Sequence, residues 1–185
     1  ALYLSVDGKV EGTIILKDKI KDNMKNTFEK FKKLGIKTRM FTGDIKEVAE
    51  EVASEVGIDE YKAEMLPQDK FNELEKVIES NKDENYKVAF VGDGINDSPV
   101  IARADIGISM GGVGASSAIE ASDVVIMTDE IEKIITGIRI SKKTNRIIKE
   151  NLVFSIGIKI LVLLLTILGI SDMWEAVFAD VGVTL

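Results

Sequence analysis

Val-Gly-Asp-Gly-Ile-Asn-Asp-Ser-Pro, residues 91 to 99, follows an apolar run typical of a buried strand and precedes the start of a helix. A turn at this position needs only one or two residues such as Gly, Asn or Asp, and this stretch holds five of them. Carboxylate and carbonyl oxygens are the ligands that Mg²⁺ prefers, and Asp93 and Asp97 supply two carboxylates. The stretch therefore predicts a Mg²⁺ and phosphate site.

Outward from this stretch, predicted helices and strands alternate along the chain. Predicted helices cover 45–56, 68–80, 97–103 and 114–121, and predicted strands cover 37–41, 87–91, 105–109 and 123–127. An earlier helix contains Met24 and ends near Gly35, and residues 2–16 read as a hairpin turning at Asp7-Gly8. Such alternation predicts an α/β fold with a Rossmann-like parallel sheet and crossover helices.

Two more loops carry groups suited to phosphate chemistry. Thr42-Gly43-Asp44 follows the predicted strand 37–41. Pro67 to Lys70 begins the predicted helix that lies between this strand and the strand 87–91. Functional loops gather at the carboxyl ends of parallel strands, and phosphoryl transfer needs hydroxyl and N–H donors, a cation and carboxylates. Taken alone, the first loop is also explained by a simple turn with Asp44 as helix N-cap, and Lys70 by a surface lysine. The three loops together favour phosphoryl transfer.

Composition excludes several classes of function. The 185 residues carry a net charge of −7, which argues against nucleic-acid binding because no basic face is available to neutralise phosphates. The chain has no Cys and no His, which excludes disulfides and a tetrahedral zinc site of its own. Resident metal chemistry must therefore use oxygen ligands.

The second part of the chain predicts membrane insertion. Residues 130–150 form a predicted basic helix that runs into Leu152 to Ile170, nineteen residues with one charge, enough for a bilayer core of about 30 Å. The basic cluster places the preceding residues in the cytoplasm. Residues 173–185 start a second apolar segment that is too short to cross. The absence of an initiator Met and the opening in mid-strand suggest an excerpt of a longer protein.

Two charges fall inside these apolar segments. Lys159 lies seven residues beyond Leu152, and Asp180 lies six residues beyond Trp174. A charge inside a bilayer is costly, so both residues predict an ion pathway. For Lys159 alone, a long side chain reaching back to the interface is an open alternative.

The motifs resemble a known family. Thr42-Gly43-Asp44, Pro67-Gln68-Asp69-Lys70 and Gly92 to Pro99 are similar to the haloacid dehalogenase-type phosphorylation domain of P-type ATPases. Asn151 to Lys159 and Ala179 to Gly182 resemble the last two membrane helices of the zinc, cadmium and lead pumps. The resemblance implies the C-terminal portion of such a pump. Residues 1–17 would be a linking hairpin or the end of the nucleotide-binding domain, and residues 18–150 would be the phosphorylation domain. Residues 151–170 would form a membrane helix, and residues 173–185 would begin the last membrane helix.

The resemblance also implies a role for each matched residue. Thr42 and Gly43, with Asp44 beside them, would bind the transferred phosphoryl group, and Lys70 would neutralise its charge. Asp93 would hold Mg²⁺, and Asn96 and Asp97 would complete the network around the phosphate and the lysine. Lys159 and Asp180 would belong to the membrane metal site. The cofactors would be Mg²⁺ and ATP, the latter bound mainly outside this chain.

The implied protein is a monomeric, multi-pass pump of the cell membrane for Zn²⁺, Cd²⁺ or Pb²⁺, surrounded by lipid, with residues 1–150 in the cytoplasm and no nucleic-acid partner. The phosphorylated Asp-Lys-Thr-Gly-Thr motif and the Cys-Pro-Cys metal helix are absent from this sequence, so this portion alone would not turn over. Two alternatives stay open. A soluble phosphatase of the dehalogenase superfamily predicts an upstream Asp-x-Asp and no apolar span. A membrane-anchored regulator would bind Mg²⁺ or phosphate without catalysis.

Overall fold

A computed structural model describes residues 2–14, 19–81, 86–92, 95–111, 119–128 and 130–169. The predictions for Asp93, Asp180, the segment 173–185 and most of the helix at 114–121 lie outside these residues. The chain forms two compact units, Ala1–Glu132 and Lys133–Leu185.

The first unit opens with the predicted hairpin, which is confirmed. Strand β1 covers Leu2–Val6 and pairs antiparallel with β2, Lys9–Ile14, with one register shift between Leu4 and Ser5. Asp7 and Gly8 both have positive φ, 49° and 78°, as a tight two-residue hairpin turn requires.

The predicted α/β alternation follows, and the α/β fold is confirmed. The elements in chain order are α1 Met24–Lys33, β3 Arg39–Phe41, α2 Lys46–Val56, β4 Glu60–Lys62, α3 Pro67–Ser80, β5 Ala89–Gly92, a 3₁₀ turn Ile95–Asp97, α4 Ser98–Arg103, β6 Ile106–Met110 and β7 Val124–Ile126. Strands β3 and β4 pair in parallel, and β5, β6 and β7 form a parallel three-stranded sheet in that order. The sequence analysis did not predict β4.

Small residues set how closely the helices approach the strands. Helix α2 buries Ala49, Ala53 and Val56, which are spaced three or four residues apart on one face. A β-carbon built on Gly107 of β6 would lie 2.5 Å from the carbonyl oxygen of Ile101 in α4. Only glycine therefore allows α4 to lie against β6 at this point.

Three aspartates, each directly before a strand, bind the backbone of the neighbouring strand. They are Asp59 before β4, Asp105 before β6 and Asp123 before β7. Their Oδ2 atoms accept hydrogen bonds from the backbone N–H of Thr38 (2.8 Å), Val88 (2.8 Å) and Gly107 (2.8 Å) respectively. We call these residues the strand-start aspartates. They fix where each parallel pair begins.

Helix α5 spans Glu132–Ile167, so the basic segment and the predicted apolar span form one continuous helix, as predicted. Its 36 residues extend over about 54 Å. Its most apolar window has a mean hydropathy of 2.0 and none of it is buried. Length and composition are therefore those of a membrane-crossing helix. After α5 the chain turns at Gly169, whose φ is 70°.

Candidate active site

The loop after β3 is closed by its own side chains. The hydroxyl of Thr42 donates to Asp44 Oδ2 at 2.7 Å, and the backbone N–H of Asp44 donates back to Thr42 Oγ1 at 3.1 Å. The N-cap of α2 is Ile45, with no side-chain capping bond. The explanation of Asp44 as a helix N-cap is therefore wrong. Its carboxylate accepts from Thr42 and fixes the orientation of that hydroxyl.

A second loop holds this first loop in place. The backbone N–H of Thr42 donates to the Lys62 carbonyl at 3.0 Å, and the Met65 N–H donates to the Thr42 carbonyl at 3.0 Å. The Glu64 N–H donates to the Asp44 carbonyl at 2.8 Å. We call residues 62–66 the bracing loop. It connects β4 to α3 and fixes the backbone of the predicted phosphate loop on both sides of Gly43.

The shape of the bracing loop depends on an unusual conformation. Glu64 has a φ of 55°, in the left-handed region that non-glycine residues seldom adopt. A β-carbon on Gly43 would lie 3.4 Å from the Met65 carbonyl oxygen, so the two loops are in ordinary van der Waals contact. The left-handed residue turns the chain so that Glu64 and Met65 can both donate to the first loop.

The bracing loop leads directly into the first turn of α3. The backbone N–H of Leu66 donates to Asp69 Oδ2 at 2.9 Å, which closes the helix start, and Pro67 occupies the first turn, where a missing N–H costs nothing. Lys70 follows in the same turn. The position of Lys70 is thus fixed through the same segment that braces Thr42.

Lys70 meets the third predicted motif. Its Nζ lies 3.0 Å from Asp97 Oδ1, and the two side chains are only 19% and 14% exposed. A charge pair so poorly solvated is a fixed element of the site rather than a surface contact. The structure therefore brings together two of the residues predicted to act on phosphate, 27 positions apart in the chain. Their catalytic roles stay predictions.

Glycine at the end of β5 makes room for Asp97. A β-carbon on Gly92 would lie 3.0 Å from Asp97 Cβ and 3.3 Å from Asp97 Oδ2. The 3₁₀ turn Ile95–Asp97 folds the carboxylate back over the strand end. Asn96, in the middle of this turn, is exposed.

The donor chemistry at this strand end suits Mg²⁺, but the described residues do not complete a metal site. No three Asp, Glu, His or Cys side chains converge within the described ranges. One carboxylate oxygen of Asp97, Oδ1, is already paired with the Lys70 ammonium. Asp93, the residue predicted to hold Mg²⁺, lies outside the described residues, and the Mg²⁺ role stays a prediction. Oxygen is the ligand type that Mg²⁺ prefers.

A cavity of about 310 Å³ lies beside the site rather than in it. Its lining includes Arg39, Glu60, Lys62 and Glu73, and none of the residues predicted to act on phosphate. The Lys62 ammonium, 2.5 Å from Glu73, holds the pKa of that carboxyl below its usual value. This ion pair ties β4 to α3 at the base of the bracing loop.

In the second unit, Lys159 is exposed on α5. Its predicted partner in the membrane site, Asp180, lies outside the described residues. The membrane part of the prediction is therefore untested by geometry.

Sequence reasoning missed the bracing loop and the strand-start aspartates. The signal for the latter was present, because Asp59, Asp105 and Asp123 each precede a short strand. The bracing loop left no comparable signal, since its contacts are made by backbone groups.

Residues 2–105 match the family model of the haloacid dehalogenase-like hydrolases, and the chain belongs to this family. Within it, the chain is similar to heavy-metal-transporting ATPases along its whole length. It is 49% identical over 185 residues to the cadmium, zinc and cobalt-transporting ATPase of Bacillus subtilis, covering 100% of this chain and 26% of that protein. It is 46% identical to the zinc-transporting ATPase of Synechocystis sp., covering 100% of this chain and 25% of that protein.

A solved structure supports the same relationship. The crystal structure of a zinc-transporting PIB-type ATPase in the E2.Pi state superposes with a TM-score of 0.84 at 33% identity, covering 96% of this chain and 28% of that one. The resemblance to heavy-metal P-type ATPases is thereby confirmed. The chain spans about a quarter of the length of the relatives it matches.

Proposed function

We propose that this chain forms the phosphorylation-domain and membrane-helix portion of an ATP-driven pump that exports Zn²⁺, Cd²⁺ or Pb²⁺. The observation that carries the proposal is the poorly solvated Lys70–Asp97 pair at the carboxyl end of β5. It lies in a chain whose helix α5 is apolar and long enough to cross a membrane. The similarity to metal-transporting ATPases over the whole chain agrees with both features.

The proposed chemistry is phosphoryl transfer through an upstream aspartate in the complete protein. The Thr42 hydroxyl, which donates its one hydrogen to Asp44 Oδ2, would turn this donation to a phosphoryl oxygen when the group arrives, with the Gly43 backbone N–H as a second donor and Asp44 beside them. Lys70 would offset the negative charge that spreads over these oxygens in the transition state. Asp97 would hold the ammonium of Lys70 in position before the phosphoryl group arrives. Such preorganisation is usually the largest contribution to catalysis of this kind.

Asp93 would hold Mg²⁺, with Asp97 in the same network and Asn96 on the phosphate. When bound, Mg²⁺ supplies positive charge to the phosphate oxygens. ATP would be bound mainly by parts outside this chain. We propose that residues 18–150 form the phosphorylation domain and lie in the cytoplasm. Residues 151–170 and 173–185 would belong to a multi-pass membrane region. The hairpin 1–17 would link this portion to the nucleotide-binding domain. The pump is proposed to act as a monomer within lipid.

The metal site is proposed to lie in the membrane. Lys159 and Asp180 would be its charged members in this chain, and softer ligands would come from upstream helices, because a soft cation is not held by carboxylate alone. The soluble phosphatase is the weaker alternative because it leaves the apolar helix α5 without a role.

Substitution of Asp93 by Asn in the full-length protein tests the phosphate chemistry. Metal-stimulated ATP hydrolysis should be abolished, because the amide cannot replace the carboxylate as a ligand for Mg²⁺. Asp7→Asn is the matched control, since Asp7 lies in a hairpin turn that Asn also tolerates. Unchanged hydrolysis in Asp93→Asn would defeat the Mg²⁺ assignment.

The transport part of the proposal needs a separate test. Asp180→Ala should abolish stimulation of hydrolysis by Zn²⁺ and Cd²⁺, whereas Asp172→Ala, between the two apolar segments, should not. A normal metal response in Asp180→Ala would remove this residue from the metal site and leave the phosphoryl-transfer proposal intact.

A further inference from the structure

Helix α5 carries basic side chains on one face before its apolar segment begins. They are Arg139, Lys142, Lys143, Arg146 and Lys149, and all five are exposed. At about 100° per residue they fall within one stripe about 120° wide. We call this surface the basic stripe. The five cations occupy about a third of the helix circumference. On a helix that is merely solvated, charged residues are instead spread around the whole circumference.

Most of this charge is uncompensated. Arg146 forms an ion pair with Glu150 at 2.7 Å. Lys142, Lys143 and Lys149 pair with no acidic group in the part of the chain that the structure describes. These three exposed ammonium groups of the basic stripe therefore favour a negatively charged partner.

The opposite face of the same helix has a different character. Ile148 is exposed there, about 160° around the axis from the middle of the basic stripe, and the exposed Ile140 and Ile147 lie at about 120° and 100°. Lys159, further along, lies about 140° around the axis from the middle of the basic stripe. A charge at that depth in a membrane faces protein or water rather than lipid. The face with Lys159 therefore points to the rest of the proposed pump, and the basic stripe points to lipid.

The stripe begins above the membrane, and its last part reaches the headgroup layer. Lys149 lies three residues, about 4.5 Å, before the first residue of the apolar segment, Leu152, and Lys142 lies about 15 Å before it. The negative surface potential of a cytoplasmic leaflet falls off within about 8 Å at physiological salt. Lys149 thus lies among the headgroups, and Lys142 and Lys143, nearly two screening lengths before the apolar segment, extend the positive surface above that layer.

We propose that the basic stripe binds anionic phospholipid headgroups of the cytoplasmic leaflet. The partner is identified by its chemistry, a phosphodiester lipid with net negative charge such as phosphatidylglycerol. This inference rests on the proposed membrane-crossing role of α5. It goes beyond the pump proposal because it gives the protein a preference for one class of lipid at one place.

Lipid retention by the full-length protein tests the proposal. The protein is placed in nanodiscs of about 30% phosphatidylglycerol in phosphatidylcholine, then released into mild detergent, and the co-purifying lipids are counted by mass spectrometry. The wild type should be enriched in phosphatidylglycerol over the starting mixture, and the enrichment should fall at high salt. Lys142→Gln/Lys143→Gln/Lys149→Gln should lower it about fivefold or more, since one lysine near a charged surface contributes about that factor.

Two matched variants separate position from charge. Lys142→Arg/Lys143→Arg/Lys149→Arg keeps the charge and should keep the enrichment. Lys9→Gln/Lys25→Gln/Lys46→Gln removes the same charge from exposed residues of the first unit and should also keep it. Unchanged enrichment in the stripe Gln variant would overturn the proposal. Equal loss in the Lys9, Lys25 and Lys46 variant would overturn it too, because net charge alone would then be responsible.

The membrane role of α5 is checked in the same preparation. Resistance of the protein to extraction by alkaline carbonate is expected for a crossing helix. Release by carbonate would overturn the membrane-crossing role and the lipid site with it. Resistance combined with no lipid enrichment would overturn only the lipid site.

Discussion

The two ends of the parallel strands use aspartate in opposite ways. At the amino ends, the strand-start aspartates Asp59, Asp105 and Asp123 accept backbone N–H groups from the neighbouring strand. At the carboxyl end of β5, Asp97 instead holds the ammonium of Lys70 in a poorly solvated pair. One residue type therefore binds backbone groups of the sheet at one edge and, at the other, pairs with the lysine that we propose acts on phosphate.

The difference teaches how an aspartate in an α/β sequence is to be interpreted. An aspartate directly before a strand has backbone donors within reach, because the neighbouring parallel strand starts beside it. One that follows a strand lies where loops converge and where ligands bind in open α/β sheets. Changes at the amino edge should therefore affect stability, and changes at the carboxyl edge should affect activity.

The largest effect is expected at Lys70. Lys70→Met in the full-length protein should lower ATP hydrolysis by about two to three orders of magnitude, because a preorganised charge is lost and Asp97 is left without its partner. Metal-stimulated phosphate release measures this. Lys76→Met is the control, since Lys76 lies on the same helix, is 71% exposed and pairs with Glu73 at 3.3 Å. A loss smaller than about tenfold would count against the role of Lys70.

Two glycines allow a direct comparison of the edges. Gly107→Ala places a methyl group 2.5 Å from the Ile101 carbonyl oxygen and should lower the free energy of unfolding by about 2 kcal/mol or more. Gly92→Ala meets Asp97 at 3.0 Å, so the carboxylate must shift by a few tenths of an ångström. Hydrolysis in this variant should fall by about tenfold, with a stability loss below about 1 kcal/mol.

Denaturant titration and hydrolysis assays on both variants provide the readout. Gly137→Ala is the control, because an added β-carbon there meets no described atom within 4 Å beyond its own stretch of helix, and helix propensity favours Ala by about 0.5 to 1 kcal/mol. If Gly92→Ala lost stability and kept full activity, the division between the two edges would fail.

A pH-dependent effect is expected at Asp59. Hydrogen bonds from the Thr38 backbone and hydroxyl lower the pKa of Asp59, so the folded state favours the carboxylate. This stabilisation is present above the usual carboxyl pKa and is lost as the pH falls through the lowered value. Asp59→Asn should therefore cost about 1 kcal/mol at neutral pH and much less at a pH below the lowered pKa.

Urea titrations of the wild type and of Asp59→Asn at both pH values measure the difference. The group is exposed, so the effect is that of hydrogen bonds at a surface and not of a buried charge. Glu79→Gln, on the exposed side of α3, should change neither value. A pH-independent difference would show that the charge of Asp59 is not responsible.

The smallest effect is expected from Glu64→Gly in the bracing loop. Glu64→Gly removes the cost of the left-handed conformation and should keep both stability and activity within about 1 kcal/mol and about twofold. Glu64→Val should cost about 1 to 2 kcal/mol and weaken inhibition by vanadate, a phosphate analogue, several-fold. Glu64→Asn tolerates the conformation and serves as the rescue variant. Equal vanadate inhibition in the Val and Gly variants would show that the conformation of the bracing loop does not affect phosphate binding.

Patterns with a clear period or a strong turn signal predicted most of the fold. The Asp7-Gly8 turn, the glycine at the end of α2 and the continuous helix α5 all appear as expected. Strand β4 was missed because Glu60-Tyr61-Lys62 has no apolar alternation. It exists through parallel pairing with β3 and the ion pair of Arg39 with Glu60. Tertiary contacts of this kind leave no local signal.

The site was predicted as a set of loops but not as a geometry. The motifs indicated Thr42, Lys70 and Asp97, and the structure joins the last two. The N-cap interpretation of Asp44 failed because the nearer hydroxyl of Thr42 binds its carboxylate. Backbone hydrogen bonds between distant loops depend on the fold and not on residue type, so no pattern in the sequence could have revealed the bracing loop.

The bracing loop has a consequence for amide hydrogen exchange. The amide protons of Glu64 and Met65 are held in hydrogen bonds between two loops, and that of Thr42 is bound by the carbonyl of Lys62, the last residue of β4. They should exchange with solvent far more slowly than the amides of ordinary surface loops, and together, since they open only when the loops part. Slow exchange there before any phosphate binds would mean that the loop loses its conformational entropy during folding. Phosphate binding would then not have to order it.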